Sequence, residues 1–244
     1  MVNSKKMKIH IYTIVRNEEY ILPYFLRHYS TFADKIFIID DSSTDKTVEI
    51  AKAHPKVELL DFDYPPSFNY DDNFSDCFTK YYKEKSRGVA DWVIRVDADE
   101  LIYHKDIKKV LKEKRENGAK VLKSTGFLMV SEELAKNDGQ IYDEIKEGAR
   151  YRGYDKTVIF DPSLDITFEK GRHSINTPEG IRHERAHILL LHYRYLSKEY
   201  FIKRSEHLYS RKGEMTDEIK EKMMNRGLNW YEENLKSELI NLID

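Results

Sequence analysis

The sequence of 244 residues contains a single cysteine, Cys77, so an internal disulfide is excluded. This scarcity indicates a reducing compartment, and we expect Cys77 to be an ordinary small residue of the core. The chain also lacks any apolar run near the ~20 residues that a membrane-spanning helix needs. No apolar core of a signal peptide follows residues 1–6. These absences predict a cytoplasmic protein.

An excess of charge of one sign is absent as well. The net charge is −2 although 34% of the residues are charged, and the two signs are interspersed. Such a chain offers no basic field for duplex nucleic acid, so we expect no nucleic-acid partner. Hydrophobic residues make up 40% of the sequence, which is enough for a packed core in one large α/β domain or two small ones.

The first part of the chain alternates strand and helix patterns. Apolar and β-branched runs at 8–15, 36–39 and 57–60 predict strands, and the apolar spacing between them predicts two helices. A further buried strand is predicted at 92–96. This order is typical of a Rossmann-like, mostly parallel sheet flanked by helices, so the predicted fold class is α/β.

The later part of the chain has a looser pattern. It predicts one helix near 107–117 and a set of strands: 119–122, 127–130, 157–160, 166–168 and 188–193. The polar residues 132–152 are predicted to form a mobile loop with a short helix, which is a candidate lid over a site. From Ser197 onward we expect helices, the last of which is either continuous from Thr216 or broken at Gly227.

Paired carboxylates follow two of the predicted strands. Asp40 and Asp41 end the second strand, while Asp97 and Asp99 follow the strand at 92–96. Parallel strands end at one edge of a sheet, where open α/β folds bind their ligands. An Asp-x-Asp pair can direct its oxygens at Mg²⁺ or Mn²⁺, which prefer oxygen ligands. A solvated acidic turn at 97–99 and a helix-capping turn at 40–41 are the structural alternatives.

Three segments resemble, in order and spacing, the motifs of glycosyltransferase family 2: residues 13–19, 38–47 and 97–100. The segment 191–197 is similar to a His-Tyr stretch of small bacterial members related to lipopolysaccharide-core transferases. The resemblance implies a GT-A fold, a nucleotide-diphosphate-sugar donor and inversion at the anomeric carbon. A saccharide or a lipid-linked glycolipid acceptor is implied by analogy alone.

The same resemblance implies roles for particular residues. It implies a nucleotide pocket lined by four residues: Thr13, Arg16, Glu18 and Asp41. Asp41 would hold the base or the ribose, whereas Asp97 and Asp99 would serve the donor diphosphate and a Mn²⁺ or Mg²⁺ cofactor. The expected division is a GT-A domain over 1–196 and a helical extension over 197–244. Within the domain, a nucleotide-binding half (1–101) precedes an acceptor-side half (102–196).

The second half of the chain departs from the family pattern at residues 168–175. His173 is kept there, but Ser174 stands where relatives of the lipopolysaccharide-core type have an acid. The base that removes the acceptor proton is therefore open among Asp155, Glu169 and His173. His173 is also a candidate third metal ligand, because imidazole binds Mn²⁺ as well, although less favourably than carboxylate.

Two other functions fit part of the sequence. A phosphohydrolase of the haloacid dehalogenase type has an Asp-x-Asp motif, but usually on its first strand and with Thr or Val where this chain has Leu101. A sugar-nucleotide-binding domain without turnover is favoured by Ser174 and opposed by the intact Asp97 and Asp99. Only a glycosyltransferase explains all three motifs. The aromatic and basic C-terminal part also allows a peripheral membrane contact, although its acidic residues dilute the charge.

Overall fold

The structure is a computed structural model that describes residues 6–64, 70–169, 174–210 and 215–243. Its centre is a parallel sheet of four strands in the order β4-β1-β2-β3. The strands are β1 (Ile9–Val15), β2 (Lys35–Asp40), β3 (Val57–Asp61) and β4 (Trp92–Arg95). Strands buried on both faces need apolar, β-branched residues throughout, which explains the continuous runs in the sequence. The predicted α/β class is confirmed.

Three helices connect these strands and cover both faces of the sheet: α1 (Leu22–Ser30), α2 (Thr47–Ala53) and α3 (Tyr70–Lys85). In α1, Pro23 lies in the first turn, where its missing N–H has no intrahelical acceptor to lose. Leu22, Phe25, Leu26 and Tyr29 form the buried face of that helix. On the opposite side of the sheet, Cys77 of α3 is buried in a second apolar cluster.

The second half of the sheet is largely antiparallel. It is built from β5 (Glu100–Tyr103), β6 (Val121–Ser131), β7 (Glu147–Arg150), β8 (Thr157–Phe160) and β11 (His183–Leu196). Strand β8 joins the two halves, because it pairs antiparallel with both β4 and β6. Strand β11 runs parallel to β6 and antiparallel to β5. Helix α4 (Ile107–Glu116) follows β5, and β9 (Thr167–Phe168) pairs with β10 (Ile175–Asn176) as a separate ribbon.

Two predictions for this half were wrong. The strands predicted at 119–122 and 127–130 are the single strand β6, which continues through Gly126. Glycine is needed at this position because a Cβ would lie 2.3 Å from the backbone of Tyr154. The segment 132–152 contains the short helix that was predicted, as a 3₁₀ turn at Ile141–Asp143, but it also contains β7, which was not predicted. Hydroxyl groups of α1 bind it, since Tyr24 donates to the Ala135 carbonyl at 3.1 Å.

The last part of the chain forms α5 (Lys198–Ser210), α6 (Asp217–Leu235) and the short strand β12 (Ile240–Asn241). Helix α6 is not broken at Gly227; this glycine lets α6 approach the ring of Phe201, which a Cβ would meet at 2.3 Å. Strand β12 pairs with β7, so the extension contributes to the main sheet as well as its helices. The boundary at residue 196 stays a prediction. In the described part of the chain, no helix is long and apolar enough to cross a membrane.

Candidate functional site

A cavity of about 300 Å³ lies where β1 and β4 end. This position is the edge at which parallel α/β sheets place their ligands. Three acidic residues line the cavity: Glu18, Asp97 and Asp99. Four cationic residues line it as well: Arg16, Lys156, Arg194 and Arg204. With more fixed positive than negative charges in its wall, the cavity is suited to an anionic ligand.

Hydrogen bonds join two of the sequence motifs at this edge. The backbone N–H of Glu18 donates to Thr47 Oγ1 at 2.7 Å, and the N–H of Asn17 donates to Ser43 Oγ at 3.0 Å. In return, Asn17 Oδ1 accepts from the N–H of Thr44 at 2.7 Å. Asn17 has a φ of 55°, a left-handed conformation that Asn adopts more readily than most residues. The β1 exit and the turn after β2 are therefore one hydrogen-bonded unit.

Of the four residues predicted to contact the nucleotide, two line the cavity and two do not. Arg16 and Glu18 line the cavity, whereas Thr13 and Asp41 are buried behind its wall. The N–H of Asp41 donates to the Val15 carbonyl at 2.8 Å, and Arg16 Nη1 donates to the Asp41 carbonyl at 3.1 Å. In this arrangement Asp41 positions Arg16 through its backbone.

The acids after β4 are paired with buried cations. Asp97 Oδ1 accepts from Arg95 Nη2 at 2.7 Å, and Asp97 Oδ2 lies 3.9 Å from Lys156 Nζ. Lys156 also forms an ion pair with Glu100, which is fully buried. Buried charges are stable only when they are paired. Here Arg95 of β4 and Lys156, directly before β8, are the cations that pair with the acids.

Asp99 is the most enclosed of the three acids that line the cavity, at 1% exposure. Its Oδ2 accepts from His192 Nε2 at 3.1 Å and from Arg204 Nη1, while Oδ1 has no hydrogen-bond partner among the described residues. Burial alone would raise the pKa of Asp99, but the charges of Arg204 and His192 outweigh it and hold the pKa well below its ordinary value. Asp99 is thus an ionised carboxylate with one oxygen still able to accept.

Arg204 links the two ends of the chain at this point. Its Nε donates to Glu18 Oε1 and Oε2 at 3.0 Å each, its Nη2 donates to Oε1 at 2.8 Å, and its Nη1 donates to Asp99. Charge-assisted bonds of this forked kind are the strong ones in proteins. One guanidinium therefore fixes the positions of two carboxylates from different strand ends.

The predicted metal ligands do not form a metal site in this arrangement. His173 lies outside the described residues, and Asp99 Oδ2 is held by Arg204 and His192. Asp97 is held by Arg95. Within residues 6–64, 70–169, 174–210 and 215–243, no group of three or more His, Cys, Asp or Glu side chains is arranged to hold an ion. The donor set present therefore does not fit Mn²⁺ or Mg²⁺.

Two of the candidate bases lie away from the cavity. Asp155 accepts from the Gly126 N–H at 2.9 Å and from Arg150 Nη2 at 2.8 Å. Burial would raise the pKa of Asp155, but these two partners hold it below its usual value, which makes Asp155 a poor base. Glu169 is exposed beside the β9–β10 ribbon, and its N–H donates to the Ser174 carbonyl at 3.1 Å. His173 lies outside the described residues.

Sequence reasoning missed several residues of the cavity wall. Lys156 directly precedes β8, and Arg204 and His207 lie three residues apart on α5, so they share one face of that helix. A signal was present: Phe201, Arg204 and Leu208 repeat at helical spacing, which places an arginine on an otherwise apolar face. Buried cations at such positions need acidic partners, and that requirement points to a site.

The fold and the cavity define an α/β protein with a cavity lined by cations at the carboxyl edge of a parallel sheet. The chain belongs to glycosyl transferase family 2, whose family model matches residues 11–168. The predicted resemblance and the GT-A fold class are confirmed, and the haloacid dehalogenase alternative is not supported. A comparison with curated proteins found no significant match.

Solved structures of low sequence identity are similar in fold. TarS 1–349 of S. aureus in complex with UDP is 16% identical, with 95% of this chain and 76% of that chain covered and a TM-score of 0.44. The complex of the same protein with UDP-GlcNAc is also 16% identical, with 91% of this chain and 72% of that chain covered and a TM-score of 0.44. Glucosyl-3-phosphoglycerate synthase of Mycobacterium tuberculosis in complex with Mg²⁺ and UDP is 18% identical. The match covers 49% of this chain and 44% of that chain, with a TM-score of 0.37. The chain spans 43% of the longer TarS chain.

Proposed function

We propose that the protein transfers a sugar from a nucleotide-diphosphate sugar to an acceptor hydroxyl, with inversion at the anomeric carbon. The observation that carries this proposal is the cluster of four cations in a cavity at the carboxyl edge of β1 and β4. The cavity lies in a chain that belongs to a glycosyltransferase family. A sugar transferase needs preorganised positive charge where the leaving diphosphate gains negative charge.

The wall residues have separate tasks in this proposal. Arg16, Lys156 and Arg204 bind the diphosphate and stabilise it as it leaves. Asp97 and Glu100 hold Lys156, and Glu18 and Asp99 hold Arg204, so the cations are in position before the donor arrives. Preorganised charge costs no reorganisation during the reaction, which is why such pairs increase the rate.

The acceptor proton requires a base near the cavity. Asp97, His192 and His207 are the carboxylate and imidazole groups of the wall apart from Glu18 and Asp99, and His173 stays a candidate outside the described residues. Asp97 has 26% of its side chain exposed, which allows it to contact an acceptor. If one of these groups is the base, its replacement removes an ionisation from the pH profile of kcat/KM while donor binding persists.

A Mn²⁺ or Mg²⁺ cofactor stays a prediction for this chain, because an ion on the open Asp99 oxygen would lie next to the positive charge of Arg204. The acceptor class, a saccharide or a lipid-linked glycolipid, likewise stays a prediction. We further propose that the transferred sugar is a hexose and that the transfer serves polysaccharide biosynthesis. The cytoplasmic location and the peripheral membrane contact stay predictions.

The test begins with a thermal-shift screen of UDP-, GDP-, dTDP- and CMP-sugars, with and without Mn²⁺. A ligand that binds only the folded protein raises its melting temperature. The donor found in this way is then incubated with the protein alone, and slow release of free sugar is measured. Hydrolysis that disappears in Lys156→Gln supports a glycosyltransferase. Binding without any turnover would instead indicate a sugar-nucleotide-binding domain.

A further inference from the structure

Arg204 occupies the centre of the cluster of acids in the cavity wall. Three different segments meet there: Glu18 follows β1, Asp99 follows β4, and Arg204 belongs to α5. The guanidinium is bound to both carboxylates at once, and its side chain keeps 21% exposure. Arginine is well suited to this role because its planar fork is always charged and can bind two anionic groups in fixed geometry.

Helix α5 holds this guanidinium in place through packing on both sides. Phe201, one turn before Arg204, stacks on Tyr195 with ring centroids 5.0 Å apart and an interplanar angle of 12°. The same ring contacts Gly227 of α6, and Ser205 is 2% exposed. These contacts hold the helix that carries Arg204, and the bonds to Glu18 and Asp99 hold the guanidinium itself.

The contacts of Arg204 leave part of it available to a ligand. Three of the five N–H groups of an arginine side chain suffice for the bonds from Nε and Nη2 to Glu18 and from Nη1 to Asp99. The remaining N–H groups are on the two terminal nitrogens, and the residue lines the cavity. Arg204 can therefore neutralise the two acids and still donate to an anionic oxygen.

We infer that Arg204 is the resident cation of the donor site: it holds Asp99 and Glu18 in place of a divalent ion, and the donor diphosphate binds without Mn²⁺ or Mg²⁺. The inference rests on the proposed function. It follows from the disagreement between the predicted metal ligands and the structure, in which Asp99 is bound by a guanidinium and an imidazole. A divalent ion bound to the open Oδ1 of Asp99 would lie beside the guanidinium on Oδ2, and the two positive charges would repel each other.

The direct test measures nucleotide binding by calorimetry with the full chain. UDP, GDP and dTDP are titrated into wild-type protein in EDTA and again in Mn²⁺. We expect the diphosphate that binds to have the same Kd in both buffers, within about threefold, a change smaller than the tenfold that 1.4 kcal/mol would give. In Arg204→Gln the Kd in EDTA should rise about tenfold or more, because a charge-assisted hydrogen bond to the ligand is lost.

A second measurement follows the metal itself. Electron paramagnetic resonance of free Mn²⁺ reports how much ion the protein binds in the absence of nucleotide. Wild-type protein should bind Mn²⁺ weakly, and Arg204→Gln should bind it more tightly because Asp99 and Glu18 are released. Lys198→Gln is the matched control: it removes one positive charge from the same helix, on a side chain that is 52% exposed, and should resemble the wild type.

The outcomes separate this inference from the proposed function. Nucleotide binding by the wild type only in Mn²⁺, together with tight Mn²⁺ binding, would overturn the inference and leave a metal-dependent transferase. Failure of every nucleotide to bind in either buffer would overturn the proposed function. If Arg204→Gln does not fold, Arg204→Lys replaces it and should show a smaller loss in EDTA, since it keeps the charge but not the fork. The wild-type comparison decides by itself whether the diphosphate binds without a divalent ion, and the Arg204 variants decide whether Arg204 is the cation responsible.

Discussion

Asp99 and Asp155 are both aspartates paired with arginine, and both have a lowered pKa, but they belong to different regions. Asp99 lines the cavity and has one oxygen without a partner among the described residues. Asp155 lies in the connection between β7 and β8, where the Gly126 N–H of β6 and Arg150 of β7 bind its two oxygens. A shifted pKa therefore identifies a tightly held acid in both cases, and only the cavity distinguishes a ligand site from a structural ion pair.

The largest effect is expected from Asp99→Asn. The change keeps the shape of the side chain but removes the charge that holds Arg204 and orients His192. We expect kcat/KM for sugar transfer to fall by about 100-fold or more, the usual effect of removing one preorganised electrostatic group. Transfer assays at varied donor concentration measure this fall, and circular dichroism checks the fold. Unchanged kcat/KM would remove Asp99 from the site.

Gly126→Ala should have the largest effect on stability. A Cβ at this position would lie 2.3 Å from the carbonyl carbon and oxygen of Tyr154, which are backbone atoms that cannot rotate away. We expect the free energy of unfolding to fall by about 3 kcal/mol, at the upper end for overpacking. Urea denaturation measures it. Because the Gly126 N–H binds Asp155 and Tyr154 lines the cavity, this variant affects both regions, and a loss of transfer without a loss of stability would contradict the explanation.

Asp155→Asn is the counterpart of Asp99→Asn in the structural region. The amide oxygen can still accept from Gly126, but the charge that pairs with Arg150 is lost. We expect a loss of about 1–3 kcal/mol in the free energy of unfolding, the value of a charge-assisted hydrogen bond. Sugar transfer should stay within about threefold of the wild type, well below the tenfold that 1.4 kcal/mol gives. A drop in transfer as large as that of Asp99→Asn would place Asp155 in the reaction after all.

Mild acid should leave Asp99 and Asp155 ionised, because the pKa of each is lowered. The expected loss of stability comes from a buried histidine instead. His28 is 4% exposed, and burial lowers its pKa from 6.5 to about 4, although its bond to the Ile102 carbonyl opposes this. Between those values the unfolded chain takes up the proton first, so stability present at pH 7 is lost as the pH falls. We expect His28 to contribute a loss of about 2 kcal/mol at pH 5. Urea denaturation at pH 7 and pH 5 measures it, and His28→Gln should show a smaller difference.

Much of the parallel half was predictable from the sequence because its signals are local. The continuous apolar runs of β1, β2 and β4 predict buried strands, and the polar residues of the site follow these strands directly in the chain. The joined β6 and the uninterrupted α6 were not predictable, because each depends on one glycine that packs against a distant residue. The structural role of Asp155 also depends on partners from two other strands.

The position of Arg204 was the largest omission for a related reason. Its helix has an ordinary amphipathic pattern, and the spacing of Phe201, Arg204 and Leu208 shows only that the arginine lies on an otherwise apolar face. The two acids that bind Arg204, Glu18 and Asp99, follow β1 and β4, and only the folded sheet brings them together. Local patterns identified the acids of the site, while the cation that neutralises them required the tertiary structure.

The bond between Glu18 and Arg204 spans 186 positions of the chain, and that between Asp99 and Arg204 spans 105. During synthesis the parallel strands leave the ribosome first, and Arg204 follows Glu18 by roughly 10 to 40 s at ordinary elongation rates. Until Arg204 is made, the nascent chain carries Glu18 and then Asp99 without the guanidinium that binds both in the folded protein. Nucleotide affinity should therefore be acquired late in translation, when α5 docks, and a ribosome stalled before that helix should display a nearly native sheet that does not retain the donor.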